Sequence, residues 1–171
     1  GDLIVKQLYI KQKVMSLREK FTIKNEQERD VYFVQGSFMK IPKTFSISNM
    51  DGKEVALIKK KPFTLMLPKF YVEVDGKRIM TIKKEFTFVK SRYTIDAHGI
   101  EVKGNWVDMN FEVLQNGTVV GQVSKAWFSW GDSYKVDIFE ESMETTVISI
   151  VVAIDHVKKM DSATSAASVT P

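Results

Sequence analysis

The sequence predicts a mainly β fold, a closed antiparallel barrel of about twelve strands around a hydrophobic C-terminal α-helix. Three observations carry this expectation. Turn pairs recur at Asp51-Gly52, Asp75-Gly76, His98-Gly99 and Asn116-Gly117, each between runs rich in Val, Ile, Phe, Tyr and Thr. Asp-Gly or Asn-Gly in that setting is the strongest short hairpin signal, because both turn residues must take positive φ. The runs themselves are short and close together, as in an all-β barrel or sandwich. Finally, one long stretch, 141–160, holds no Gly, Pro or turn pair and contains the most apolar part of the chain.

Twelve runs read as strands: Lys6–Lys13, Lys20–Asn25, Asp30–Ser37, Thr44–Asn49, Glu54–Lys60, Phe70–Asp75, Lys77–Lys84, Ser91–Ala97, Ile100–Asn105, Asn110–Gln115, Val119–Ala126 and Tyr134–Glu140. Met15–Lys20 is a short connection, long enough for one helical turn, and Pro42, Pro62 and Pro68 fall in connections, where no ladder donor is lost. A two-residue turn at Asp75-Gly76 places Glu73 opposite Arg78, a favourable cross-strand pair. A two-residue turn at His98-Gly99 would put Tyr93, Ile95 and Ala97 on one face with Ile100 and Val102, leaving charged residues on the other, as in a sheet wet on one side.

The stretch Glu141–Met160 reads as a helix with no real polar face. Met143, Val147, Ile148, Ile150, Val151, Val152, Ala153, Ile154 and Val157 occupy most of its circumference. The hydroxyls of Thr145, Thr146 and Ser149 can bond back to the preceding turn. Such a helix is buried in protein or lipid. Between Glu144 and Asp155 lie ten uncharged residues, roughly 15 Å of helix against about 30 Å of hydrocarbon, so a membrane span is excluded. As a single strand, the stretch would run roughly 65 Å, far beyond normal length. Its ends suit a helix, with Ser142 as cap, Glu141 and Glu144 in the first turn, and Lys158 and Lys159 in the last. About twelve strands can enclose one helix about 10 Å across. The organisation expected is one domain over 1–160, with the buried helix at 141–160 and a flexible, low-complexity tail over 161–171.

Composition narrows the chemistry. The 171 residues include no cysteine, which excludes disulfides, thiolate nucleophiles and Cys-ligated metals. The net charge of +4 permits an anionic partner without requiring one. Residues 1–5 lack the pattern of a signal peptide, so a cytoplasmic location is expected. No metal-ligand spacing, P-loop, nucleophile elbow or dinucleotide fingerprint occurs. His98 reads as a turn residue and His156 as an imidazole favouring the helix dipole. No enzyme, cofactor or metal is expected.

Gly121-Gln-Val-Ser-Lys-Ala-Trp-Phe-Ser-Trp-Gly-Asp-Ser-Tyr-Lys-Val-Asp-Ile138, followed by the apolar helix, closely resembles the bacterial LURP-one-related family. Phe21-Thr-Ile-Lys, Val31-Tyr-Phe-Val-Gln-Gly and the run from Ile47 to Lys61 match its pattern too, so the resemblance covers roughly residues 3–160. The family is similar in fold to the tubby C-terminal domain and the phospholipid scramblases. The resemblance implies a closed twelve-stranded barrel around a central helix. It does not carry over scramblase activity, since no Asp-x-Asp-x-Asp-Gly calcium loop is present.

One functional lead remains on the surface. Lys59, Lys60, Lys61, Lys77, Arg78, Lys83 and Lys84 lie on neighbouring expected strands, with Lys69 and Lys90 nearby. Adjacent hairpins can gather several at one rim as a phosphate-binding patch. Tubby relatives recognise phosphoinositide head groups through basic residues, so the resemblance points to an anionic phospholipid or another phosphorylated ligand at this rim, peripheral to a membrane. No single tubby ligand position matches a residue here. Against this stand alternation, which sends neighbouring lysines to opposite faces, and the use of lysine to protect sheet edges. Nucleic acid is not the expected partner. A second reading gives Trp127 and Trp130 a contact with a protein partner, beside the plainer expectation that they pack in the core at the rim.

Overall fold

Two of the four turn pairs form the tight hairpins their residues favour. Asp75 and Gly76 take φ of 50° and 78°, and Asn116 and Gly117 take 49° and 84°. Both pairs have the double left-handed geometry of a two-residue turn whose twist matches the flanking strands. At Asp51-Gly52 only Gly52 is left-handed, with φ 84°. The turn there is longer, and Asn49 Oδ1 accepts the N–H groups of Asp51 and Lys53, each at 3.0 Å. Asn25 organises the turn before Asp30 in the same way, accepting from Gln27 and Arg29, with Glu28 at φ 61°.

The computed structural model describes residues 3–11, 20–37, 44–61, 69–86, 91–97, 99–128 and 131–169. The expectations placed on Met15–Glu19, Pro42, Pro62, Pro68, Lys90, His98 and Trp130 therefore fall outside the described residues. The strands are β1 (Lys6–Lys11), β2 (Lys20–Lys24), β3 (Asp30–Gly36), β4 (Thr44–Asn49), β5 (Glu54–Lys60) and β6 (Lys69–Val74). They continue as β7 (Lys77–Phe86), β8 (Ser91–Asp96), β9 (Ile100–Asn105), β10 (Asn110–Gln115), β11 (Thr118–Phe128) and β12 (Gly131–Ile138). A 3-10 turn over Glu141–Met143 leads into α1 (Glu144–Val169). All twelve strands join one antiparallel sheet in the order β8-β7-β6-β5-β4-β3-β2-β1-β12-β11-β10-β9.

The expected closure is not found. β8 pairs with β7 and β9 with β10, and among the described residues no ladder joins β8 to β9. A closed barrel needs one more ladder, between the first and last strands of this order, and a count of twelve strands does not supply its register. The Gly99 carbonyl accepts the Asn116 N–H at 2.7 Å, carrying the β9–β10 ladder one residue further, with Gly99 at φ 68°; the turn expected with His98 lies outside the described residues. A His-Gly pair is also a weaker signal for that turn than Asn-Gly or Asp-Gly.

The sheet nevertheless bends strongly. α1 contacts β5 and β6 on one side and β11 and β12 on the other. In a flat sheet β6 and β11 would stand about 34 Å apart at normal strand spacing, against about 10–12 Å for a helix with its side chains. The strands must therefore wrap around α1. Only three residues separate Asp96 from Ile100, so the near ends of the two edge strands lie within about 14 Å of each other.

Alternation fixes which residues meet the helix. Phe45 and Ile47, Ala56 and Ile58, Phe70 and Val72, Met80 and Ile82 point inward and are buried, as are Val123, Val136 and Ile138 across the sheet. On α1, every residue from Val147 to Val157 is buried, so the apolar surface runs fully round the helix. Gly121 lets β11 approach most closely. A Cβ there would sit 2.6 Å from Val147 Cγ1, which no side chain could tolerate without displacement.

Three expectations about the helix ends need correction. Ser142 does not cap it; its Oγ donates to Glu140 Oε1 at 3.2 Å, and the extended Glu140 precedes the 3-10 turn. The helix does not stop at Met160 but continues to Val169, so Lys158 and Lys159 are not in its last turn. The added turns contain Ala163, Ala166 and Ala167. Alanine is the best helix former, and extending an existing helix avoids the nucleation cost.

Candidate anion-binding face

The basic residues are sorted by a single extra residue in β7. The turn at Asp75-Gly76 sets Val74 opposite Lys77 and Glu73 opposite Arg78, as the sequence predicts. Beyond it a bulge leaves Ile79 without a partner, and Val72 pairs with Met80. Without that bulge the same register would put Lys69 opposite Ile82. With it, Phe70 meets Ile82 on the inner face and Lys69 meets Lys83 on the outer one. On the other side, the Lys61 N–H donates to the Lys69 carbonyl at 2.9 Å, carrying the β5–β6 ladder one residue further. Lys61, Lys69 and Lys83 thus form a row across three adjacent strands, about 5 Å apart from strand to strand.

The next row along contains Lys59, Tyr71 and Thr81. Here the positive charge is compensated. Lys59 Nζ reaches Glu73 Oε2 at 2.9 Å, and the Arg78 guanidinium lies over the Tyr71 ring at 3.7 Å from its centroid. Glu73 therefore serves Lys59, and Arg78 finds a ring in place of its expected carboxylate. Among the described residues, Lys61, Lys69 and Lys83 have no ion pair.

The seven basic residues singled out from the sequence do not form one patch. Lys59, Lys61, Lys83 and Arg78 share the outer face. Lys60 pairs with buried Phe70 and so belongs to the inner face at the strand end. Lys77 stands at the far end, beside the turn, and Lys84 is opposite Tyr93 in the β7–β8 ladder. Lys69, first noted only as a neighbour, occupies the centre of the row.

Trp127 corrects another expectation. It is 75 % exposed, so it is not packed in the core. β11 runs straight through it, with Trp127 opposite Asp132 and Phe128 opposite Gly131.

Inside the sheet the polar groups are held differently. The Tyr32 hydroxyl donates to Glu144 Oε2 at the start of α1, and Lys6 Nζ lies 2.7 Å from Glu144 Oε1. Tyr134 donates to Asp155 Oδ1 at 2.9 Å. Burial, followed by the adjacent carboxylate, pushes both tyrosine hydroxyls well above their ordinary pKa. His156 does not sit near a helix end. It is buried, with its ring 4.0 Å from Phe45 and 5.8 Å from Phe70 between centroids. Ser149 Oγ bonds the Thr145 carbonyl at 2.5 Å, as its position in a buried helix demands. Sequence reasoning missed both tyrosine–carboxylate pairs; inward parity of Tyr32 and Tyr134 was the available signal.

Among the described residues no group of three or more His, Cys, Asp or Glu side chains could hold a metal ion, and no helix is long and apolar enough to cross a membrane. The family model described as LURP-one-related matches residues 6–155. The chain belongs to the LURP-one-related family. A similar relative in this family's range is the Bacillus subtilis (strain 168) protein named Uncharacterized protein YxjI, 30 % identical over 152 residues and covering 88 % of this chain and 93 % of that one. Among solved structures, an X-ray structure of a protein from Arabidopsis thaliana matches with a TM-score of 0.55 at 14 % identity, over 91 % of this chain and 99 % of that one. That likeness concerns the fold alone.

Proposed function

We propose that this chain is a non-enzymatic binding module that holds an anionic group against the outer face of β5, β6 and β7. The supporting observation is the row Lys61–Lys69–Lys83. Like charges directly opposite each other destabilise a sheet, and here they stand together with no compensating carboxylate among the described residues. Phosphate oxygens would reverse that repulsion through charge-assisted hydrogen bonds. The similarity to tubby-like domains favours a phospholipid head group, with a soluble phosphorylated partner as the variant. The module would then work at the cytoplasmic, anionic surface of a membrane without crossing it.

Vesicle flotation tests this. The protein should float with vesicles containing anionic lipid and stay behind with neutral ones. Lys69→Gln together with Lys83→Gln should weaken flotation by about 30-fold, at roughly 1 kcal/mol per lysine near the surface. Equal failure with both vesicle types rejects the lipid form of the proposal.

The exposure of Trp127 favours a second reading, contact with a protein partner through this aromatic corner. Trp127→Ala should weaken pull-down while leaving the melting temperature unchanged. A large drop in melting temperature would make it a structural residue instead.

A further inference from the structure

Among the described residues the shortest ladder of this sheet joins β1 to β2. β1 pairs with β12 over six residues and β2 with β3 over five, yet β1 and β2 share only two, Tyr9↔Lys24 and Ile10↔Ile23. Residues 12–19, which lead from β1 to β2, lie outside the described residues. A groove of about 300 Å³ lies on the outer side of β1, β2 and β3. This is at the small end of the range for ligand pockets.

Its lining mixes aromatic rings with lysines. Tyr9 and Phe33 point outward by alternation and are half-buried, with Thr22 directly opposite Phe33. Phe21 faces inward by the same alternation, yet it also lines the groove. Lysines stand around this apolar floor. Lys24 is already held by Asp30 at 2.6 Å. Lys11 and Lys20 are exposed and, among the described residues, take part in no ion pair. The groove thus combines flat aromatic walls, a hydroxyl, and two cations.

We infer that this groove is a binding site for a small amphipathic anion, a planar apolar body of one or two rings carrying a carboxylate or phosphate. The rings would lie against Tyr9, Phe21 and Phe33, where aromatic stacking and burial of apolar surface contribute. The acidic group would sit between Lys11 and Lys20. A neutral ring compound would leave both cations unused, and a small hydrophilic anion would leave the aromatic floor wet. The inference rests on different residues from the lysine row of β5–β7 and stands or falls separately.

The test is an amide NMR titration of the full chain with naphthoate, and in parallel with its neutral analogue naphthalenemethanol. Naphthoate should shift the amides of Tyr9, Thr22 and Phe33 and saturate, with the neutral compound several-fold weaker. Lys11→Gln with Lys20→Gln, both at exposed positions that leave folding intact, should weaken naphthoate by about tenfold and leave naphthalenemethanol unchanged. Lys69→Gln with Lys83→Gln should leave both titrations unchanged. The inference is overturned if those three amides do not move, if the neutral analogue binds as well as naphthoate, or if the shifts centre on Lys69 and Lys83.

Discussion

Charged and polar groups inside the wrapped sheet are treated quite differently from those on the outer face of β5–β7. Inside, Glu144 is held by Tyr32 and Lys6, and Asp155 by Tyr134. Outside, Lys59 is met by Glu73 and Arg78 by a ring, but the row Lys61–Lys69–Lys83 has no counter-charge among the described residues. An unpaired polar group costs far more in the interior than at the surface, so interior pairing reports on folding. An uncompensated row on the surface is cheap enough to keep, yet folding alone gives no reason to gather it. The contrast separates groups that are paired in the interior from a row left without counter-charge on the surface.

The largest effect should come from breaking the interior. Val151 is fully buried in α1, and proline there removes a helix hydrogen bond and clashes with the preceding turn, at about 3 kcal/mol or more. With the helix forming the centre of the core, Val151→Pro should yield insoluble or unfolded protein. A soluble variant with native far-UV circular dichroism would show that the sheet does not depend on its helix.

Next comes Tyr134→Phe, which takes a hydroxyl donor from a carboxylate buried to 5 % exposure. It should lower stability by about 2 kcal/mol in urea denaturation. The same pairs predict an alkaline limit. Tyr32 and Tyr134 hold their protons in the folded state above the ordinary 10.0 of an unfolded chain. As pH rises past that value the unfolded chain loses protons that the folded one keeps, so stability is complete below it and falls above it. The melting-temperature gap between the wild type and Tyr134→Phe should stay constant up to about pH 10 and narrow steadily above it as this contribution is lost. A gap that does not change above that pH would remove the tyrosine–carboxylate pairs from the account.

Much of the fold was legible because its signals are local. Asp75-Gly76 and Asn116-Gly117 name their own turn type, and the unbroken apolar stretch around Val151 could only be enclosed. Closure was not legible, because a count of about twelve strands fits an open, wrapped sheet as well as a barrel, and no local pattern marks whether the two edge strands will pair. The helix end was misjudged because small residues beyond Met160 looked like a tail. At the site, the lysines were visible but their faces were not. One bulged residue, Ile79, decides that Lys69 and Lys83 stand opposite each other, and a bulge moves every later side chain to the other face. Trp127 looked like core because tryptophan usually is, and no local pattern marks an exposed one.

The central claim is that the lysine row serves a ligand and not the fold. Thermal melting decides it, comparing the wild type with Lys61→Gln, Lys69→Gln and Lys83→Gln combined, each over a titration of a soluble polyphosphate such as inositol hexakisphosphate. The triple variant should melt at or slightly above the wild-type temperature without ligand, since repulsion is relieved. Added polyphosphate should then raise the wild-type melting temperature, by about 2.7 kcal/mol of stability at a hundredfold excess over Kd, and leave the variant unmoved. A variant that melts well below the wild type before any ligand is added, or that shifts as much as the wild type, would contradict the claim.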